Sequence, residues 1–385
     1  MKQVAVLLDG QIRNDGRVRR VVESLSEQYF VDLYCVGSDF DDKSLFNEQV
    51  NVFHYHLSLS WWKINLRMDK KFSDLVRVFS IQQKEYDFIY CNDYPLLSTA
   101  VELKKQTLSN LIYDSHEIYI ETINQFFPTN GWKAIYGYPL IWMNRFFHSN
   151  NEKKHILYID QMITVCDSLK NYFEDRYKIE NIFVIRNCPK HFEFSRNSDL
   201  IREQLKLPKG TKVLLYQGDV NLSRGIEKIV EAMSFLNENI HFVVLGAGAK
   251  FNEFRAKYAN ERIHFMGKVP FDLLYAYTSS STMGITIIEP YNLSKKFSLP
   301  NKVFEYMVAG IPFITNNLPE ASRIAREENC GFIIDDSSPE SIAKGINDAF
   351  NNPNLKEMGM SGYNAIVEKY NWEKEVEKLI NYISK

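Results

Sequence analysis

The chain has 385 residues, more than one ordinary core organises and enough for two domains. Hydrophobic residues make up 45% and charged residues 24%, with a net charge of −2, so nothing in the balance calls for nucleic acid as a partner. The five cysteines are odd in number and form no C-x-x-C pair, which reads as free thiols in a reducing cytoplasm.

From the N-terminus, Val4–Leu8 is a short apolar run, the pattern of a strand buried on both faces rather than of a signal peptide. A loop, Asp9–Gly16, and a helix from about Arg17 to Gln28 follow, then a strand at Val31–Val36. Residues 40–75 are less regular. His54 and His56 alternate there on one face, which reads as a surface strand because no further metal ligand stands beside them in sequence. Phe88–Cys91 and Leu111–Tyr113 are further strands. Tyr119–Lys154 is aromatic-rich and helical in pieces, and Met162–Val165 and Phe183–Ile185 are strands again. A polar linker around His191–Lys209 contains Pro208-Lys209-Gly210.

A second series of strands follows at Val213–Tyr216, His241–Leu245, Ile263–Phe265, Gly284–Ile288 and Pro312–Thr315. Helical patterns lie between them, as in Ile226, Ile229, Val230 and Met233. Alternation of strand and helix in both halves implies an α/β chain of two doubly wound parallel sheets, over residues 1–200 and 201–364. Ligands of such sheets bind at the carboxyl ends of strands, and two such units make the cleft between them the natural site. No run of about 18 apolar residues is available to cross a membrane.

The most informative segment is Leu299–Ile314, LPNKVFEYMVAGIPFI. Pro300 suits the first helical turn, and Gly310 the left-handed residue past the helix end. Lys302 and Glu305 are three apart on one face, opposite the apolar Val303, Met307 and Val308. A helix N-terminus, a cation and a carboxylate presented together suit a nucleotide diphosphate, the carboxylate serving ribose hydroxyls. Upstream, Tyr216–Ile226 leaves a strand, passes Gly218 and enters a helix at about Arg224, with Asn221 or Ser223 as its cap. Val243–Gly248 is a strand followed by G-x-G. It lacks the third glycine of a dinucleotide fingerprint and reads as a plain turn.

YQGDVNLSRGIEKIVEAM, VVLGAGA, FMGKVP, LPNKVFEYMVAGIPFI, GFIID and EKYNWEKEV occur in one order. Over about residues 211–375 the chain resembles the retaining GT-B glycosyltransferases of glycosyltransferase family 4. The resemblance implies two Rossmann-like domains, with a last helix at about 365–385 crossing back to the first domain after a bend at Tyr370-Asn371-Trp372. It implies that Arg224 and Lys302 lie by the donor diphosphate, that Gly218 and the amides of Asn301 and Lys302 line its pocket, and that Glu305 binds ribose. The Lys268–Val269 peptide would border the base. The chain departs from the family at two places. Phe297 stands where many members carry a glutamate, with Ser298 beside it on the sugar side, and Asp219 stands where many carry a basic residue.

In the first half, Arg13–Arg20 follows the first strand and is similar to the family's D-x-R-V loop at Asp15-Gly16-Arg17-Val18. There Gly16 is expected at positive φ and Arg17 facing the cleft. Arg19 and Arg20 read as a solvated face, or as a basic edge toward an anionic membrane or a pyrophosphate-linked acceptor. Asp114, His116 and Glu117 follow a strand and resemble the D-x-H-E of part of the family, with His116 set to hydrogen-bond the sugar or acceptor. Asp93, after the strand ending at Cys91, is a further candidate on that side. Trp61-Trp62 with Lys63 and Arg67, and Trp132, Tyr136, Tyr138, Trp142, Phe146 and Phe147, suit either a core or a bilayer interface.

These readings converge on a cytoplasmic enzyme, peripheral at most to the inner face of a membrane. It would move a sugar from a UDP or GDP donor to a glycan or lipid-linked hydroxyl acceptor with retention, in surface-glycan synthesis. No cofactor or metal is expected: Asp39-Phe-Asp41 matches D-x-D in letters but lies in a loop of the wrong region. The competing readings are a nucleotide-sugar epimerase of similar architecture and a nucleotide-sugar-binding subunit with a degenerate site.

Overall fold

Short aliphatic runs alternating with helices form two parallel sheets in the computed structural model, which describes residues 1–37, 40–57, 72–123, 127, 131–190 and 199–384. Trp61-Trp62, Lys63, Arg67, Asp39 and linker residues 191–198 lie outside the described residues. The chain divides into two units, Met1–Ile185 with Val376–Lys385, and Arg186–Glu375.

The first unit's strands are β1 (Gln3–Leu7), β2 (Phe30–Val36), β3 (Val50–Tyr55), β4 (Phe88–Asn92), β5 (Asn110–Ser115), β6 (Gln161–Thr164) and β7 (Phe183–Val184). They run in the order β3-β2-β1-β4-β5-β6-β7. Every pairing is parallel, so both faces are covered; Val4, Ala5, Val6 and Leu7 are all buried in succession. The order reverses between β1 and β4, which places the loops after these strands where ligands of such sheets bind. The histidine-bearing strand lies at the edge of this sheet, half-buried along most of its length, with His56 exposed just past its end. It is β3, paired in register with β2, and His54 stands opposite Cys35.

The second unit contains β8 (Lys212–Gln217), β9 (Ile240–Leu245), β10 (Ile263–Gly267), β11 (Met283–Thr286), β12 (Phe313–Asn316) and β13 (Gly331–Ile334). Their order is β10-β9-β8-β11-β12-β13, all parallel, with the reversal between β8 and β11. β13 is the GFII stretch, too short and too close to glycine to show as a strand by pattern.

The division falls at Ile185 rather than at residue 200. Immediately after β7 the chain is tied to the second unit: the Arg186 N–H donates to Glu375 Oε2 at 2.9 Å, and Pro189 O accepts the Trp372 N–H at 2.9 Å. The C-terminal segment is two helices, Leu355–Glu368 and Trp372–Ile383. Asn371 makes the break. Its Nδ2 donates to Ile366 O and Val367 O at 2.8 and 2.9 Å, and its Oδ1 accepts the Lys374 N–H at 2.9 Å. The last turns belong to the first unit, where Tyr382 stacks on Phe183 at 4.4 Å between centroids.

Candidate functional site

In the second unit the helix Asn301–Val308 brings Lys302 and Glu305 to the carboxyl end of β8. Pro300 is not in its first turn but is the extended N-cap residue, its carbonyl accepting the Val303 N–H at 3.0 Å. Gly310 does take the left-handed conformation, φ 70°, and Ile311 N–H closes on Tyr306 O at 3.2 Å. Val303, Met307 and Val308 are buried. Tyr306 fastens the helix to the sheet. Its hydroxyl lies 3.1 Å from both Leu215 O and Ile285 O and accepts the Gln217 N–H at 3.2 Å. Its ring packs where a side chain on Gly284 would stand, since a Cβ there would lie 2.5 Å from ring atoms.

Glu305 does not stand alone. Gln217 Nε2 donates to Glu305 Oε2 at 2.6 Å, and Gln217 Oε1 accepts the Thr278 hydroxyl at 2.6 Å. This chain of bonds fixes the carboxylate. Gln217 was legible only as a polar residue closing an apolar strand. Lys302 Nζ lies 3.5 Å from the Tyr216 ring centroid. Burial and the neighbouring Arg224 lower its pKa well below the usual lysine range. Gly218, at φ 118°, leaves its surface open toward Lys302: a Cβ there would be 3.7 Å from Nζ.

The approach to Arg224 differs from the expected cap. The helix is Ile226–Ala232, and its N-cap is Gly225 at φ 71°, where a Cβ would lie 2.6 Å from Ile287 O. Asn221 Nδ2 donates to Asp219 Oδ2 at 2.6 Å, and Ser223 sits at φ 62° with its carbonyl taking the Glu289 N–H. Arg224 Nη2 stands 3.7 Å from Asp219 Oδ2. The acidic departure from the family pattern therefore faces the arginine of this loop.

The G-x-G after β9 is more than a plain turn. Gly246, at φ 144°, lies so close to the Gly218 backbone that a Cβ would be 1.9 Å from Gly218 O. A Cβ on Gly248 would be 2.4 Å from Val220 O. Both glycines let one strand-end loop rest on the next. Gly246→Ala is expected to cost about 1–3 kcal/mol from backbone strain alone, and more from the clash. Gly210→Ala, also left-handed at φ 91° but with open space around it, supplies the strain-only control in a thermal-melt comparison. Equal melting losses in the two variants would remove the close-approach argument.

Lys268 is exposed and Val269 half-buried, just past β10, whose Gly267 carbonyl accepts the Gly246 N–H at 2.8 Å. Asn301 is exposed, its Oδ1 accepting from Asn187 Nδ2 at 3.1 Å. Phe297 and Ser298 are half-buried after the short helix Leu293–Lys296, and the Ser298 hydroxyl donates to Lys295 O at 2.8 Å.

In the first unit the predicted loop residues separate into buried and accessible groups. Asp15 caps the helix Gly16–Leu25, its Oδ1 accepting the Val18 N–H at 2.9 Å. Gly16 is that helix's first residue and has no positive φ, so it supplies no open backbone curve. Arg17 does not face outward. Its Nη2 lies 3.0 Å from both oxygens of Asp114, and its Nη1 donates to Ile185 O at 2.8 Å. Asp114 is fully buried and also takes the Tyr90 hydroxyl at 2.8 Å. Burial opposes its ionisation, but Arg17 and then His116 hold its carboxyl below the usual range. Arg17 and Asp114 are thus a buried ion pair under the strand ends, not ligand contacts.

His116 is only 19% exposed and stands between two carboxylates. Nδ1 is 3.0 Å from Asp93 Oδ2, and Nε2 is 3.2 Å from Asp114 Oδ2. Burial works against its charge, yet Asp93 and Asp114 push its pKa up to about 10. The two carboxylates favour the charged ring, which lies between them, and among the described residues Nε2 makes no well-directed hydrogen bond. Asp93 is the accessible member, 34% exposed at the end of β4. Its backbone is held at φ 62°, ψ 161°, a conformation rare for a residue with a side chain. The Asp114 carbonyl accepts its N–H at 2.9 Å, and its Oδ1 accepts the His116 N–H at 2.9 Å. Glu117 is half-buried, with its carbonyl accepting the Ser115 hydroxyl.

Arg13 Nε donates to Asp42 Oδ1 at 2.6 Å, and His54 Nε2 lies 3.1 Å from Asp42 Oδ2. Cys35, Asp42 and His54 bring ligand-type atoms within 4.8 Å of one another. The folded chain therefore supplies His54 with neighbours that sequence spacing hid. Arg19 is 3.6 Å from Glu23 along the helix, and Arg19 and Arg20 are half-buried rather than fully solvated.

Two Rossmann-like parallel-sheet units define the fold of the GT-B glycosyltransferases. Residues 197–380 match the family described as Glycosyl transferases group 1, so the unit carrying Lys302 and Glu305 is a glycosyltransferase domain. An uncharacterized glycosyltransferase of Methanocaldococcus jannaschii, MJ1069, is 25% identical over 233 residues, 57% of each chain. The match thus spans little more than half of that relative's length. The lipopolysaccharide 1,2-N-acetylglucosaminetransferase of Salmonella typhimurium is 22% identical over 231 residues, covering 57% of this chain and 60% of the other. Among solved structures, Anabaena Alr3699/HepE in complex with UDP-glucose is similar with a TM-score of 0.75 and 13% identity, over all of both chains.

Proposed function

We propose that the chain transfers a glycosyl group from a nucleotide-diphosphate sugar of the UDP or GDP class to a hydroxyl acceptor, with retention. The observation that carries the reading is the meeting of Gly218, Lys302 and the Gln217-held Glu305 at the strand-order reversal of the second sheet. Glu305 accepts ribose hydroxyls, Gly218 and the first amides of the helix Asn301–Val308 receive the diphosphate, and Lys302 with Arg224 supplies positive charge. The Lys268–Val269 peptide borders the base, and Phe297 and Ser298 the sugar. As the sugar C1–O bond breaks, negative charge collects on the diphosphate, where these groups stabilise it. The acceptor oxygen bonds C1, and its proton passes to the leaving phosphate. Asp93, aimed by His116, binds the acceptor hydroxyl in the first unit, with Arg13 and Glu117 as further polar groups on the acceptor side.

The UDP-glucose complex of the Anabaena protein supports the donor class. The Salmonella enzyme's name supports an acceptor in lipopolysaccharide or another surface glycan. Among the described residues no helix is long and apolar enough to cross a membrane.

Isothermal titration with UDP and GDP, followed by product analysis with and without acceptor in excess chelator, tests the reading. Glu305→Ala is expected to weaken nucleotide binding by about 1–3 kcal/mol, the range for hydrogen bonds to a charged group. Unchanged affinity rejects the ribose assignment. A new epimer formed from donor alone favours an epimerase, binding without turnover a degenerate subunit, and activity restored only by added Mn²⁺ a metal-dependent enzyme.

A further inference from the structure

The helix Ala134–Ile156 is polar inside and aromatic outside. Its inward stripe includes Asn144, His148 and Glu152, all buried. Each is engaged. Asn144 Nδ2 donates to Leu140 O at 2.8 Å, and Tyr94 Oη lies 3.0 Å from His148 Nδ1. Glu152 takes the hydroxyls of Tyr113 and Tyr177. Rolling the helix over would orphan His148 and Glu152, whose partners lie on other elements, so its orientation is fixed.

The outward face carries Trp132, just before the helix, with Ile135, Trp142 and Phe146, which are 74%, 80%, 71% and 62% exposed. Trp142 and Phe146 stack flat, with centroids 5.9 Å apart. A helix on a water-facing surface turns such residues inward. The charges complete the pattern. Arg145 is the single Lys, Arg, Asp or Glu between Ala134 and Asn151, and it is paired with Glu121. Lys133 before the helix and Lys153 and Lys154 near its end are exposed, while the helix's own carboxylate, Glu152, is buried.

We propose that this face seats on an anionic lipid bilayer, with the helix lying in the plane of the interface. Indole rings partition to the headgroup boundary, and lysines at both ends meet anionic headgroups. An outward face that is aromatic, free of carboxylates and flanked by lysines has the complementarity of such a surface. The proposal does not depend on the donor assignment, and its test needs no turnover.

The full chain is floated with vesicles of phosphatidylcholine alone or of equimolar phosphatidylcholine and phosphatidylglycerol. Binding is expected to be about tenfold or more stronger on the anionic vesicles. The double variant Trp142→Ser, Phe146→Ser is expected to lose about tenfold or more of that binding with unchanged circular dichroism and melting, because both side chains are exposed. Lys153→Glu with Lys154→Glu is expected to abolish the preference for anionic lipid. Absence of flotation, equal binding by the aromatic variant, or equal binding to both vesicles overturns the proposal. So does a self-association in analytical ultracentrifugation that the aromatic variant abolishes while vesicles bind nothing, which would make the occupant a second copy of the chain.

Discussion

Lys302→Met is expected to lower kcat by about 10²–10³, the cost of deleting one preorganised group at a developing charge. The side chain lies beside Gly218 and over the Tyr216 ring, so methionine keeps the apolar contact and removes only the ammonium. Without donor, burial and Arg224 disfavour the charged amine. A diphosphate reverses that balance, so binding draws a proton onto Lys302. Donor affinity should then fall as pH rises through the lysine's lowered value, and the variant should lose this slope. The linkage has the opposite sign for folding. The unfolded chain binds the extra proton between the lowered value and the ordinary 10.5, so the donor-free protein gains stability as pH rises through that window. Titration calorimetry in buffers of different ionisation enthalpy reads the proton uptake. A Lys302→Met enzyme with wild-type kcat and the same pH slope would remove Lys302 from the site.

Arg17→Met is expected to destabilise the first unit by about 3–5 kcal/mol, because it leaves Asp114 charged and buried without its principal partner. The effect separates a structural ion pair from a ligand contact. Donor affinity in the second unit should stay near wild type while the first unit melts early. The same cluster sets two pH limits. Asp114 is held below the carboxylate range, so its contribution is present above the ordinary value of 3.8 and is lost as pH falls through the lowered one. His116 is raised to about 10, so its contribution is complete below the ordinary 6.5 and is lost as pH rises through about 10. Urea melts of His116→Gln across this range should show no alkaline loss from that group. A melt for Arg17→Met indistinguishable from wild type would contradict the buried-pair assignment.

Most of the second unit was legible because its signals are local. The helix around Lys302 and Glu305 needs only a 3.6 period, a proline before it and a glycine after it, all within one short segment. Strands buried on both faces announce themselves as apolar runs, which is how β1, β4 and β8 read. β3 showed only as a surface strand around its histidines, because at the sheet edge it mixes polar and aromatic residues, and β13 escaped because it is four residues long and begins at a glycine. The helix Ala134–Ile156 gave an ambiguous pattern because its inward face is polar.

By itself, the sequence determined the two-sheet α/β class, the phosphate-suited helix at Asn301 and the residues that could meet a nucleotide. Only tertiary structure decided which of them are accessible. Arg17, Asp114 and His116 occur in the same motifs as ligand-binding groups, but strands distant in sequence close around them and turn two into a buried pair and the third into its clamp. Gln217 became important through a contact with Glu305, 88 residues away. The outward turn of Trp142 and Phe146 was equally invisible in one dimension, because it depends on Tyr94, Tyr113 and Tyr177 satisfying the polar face behind them.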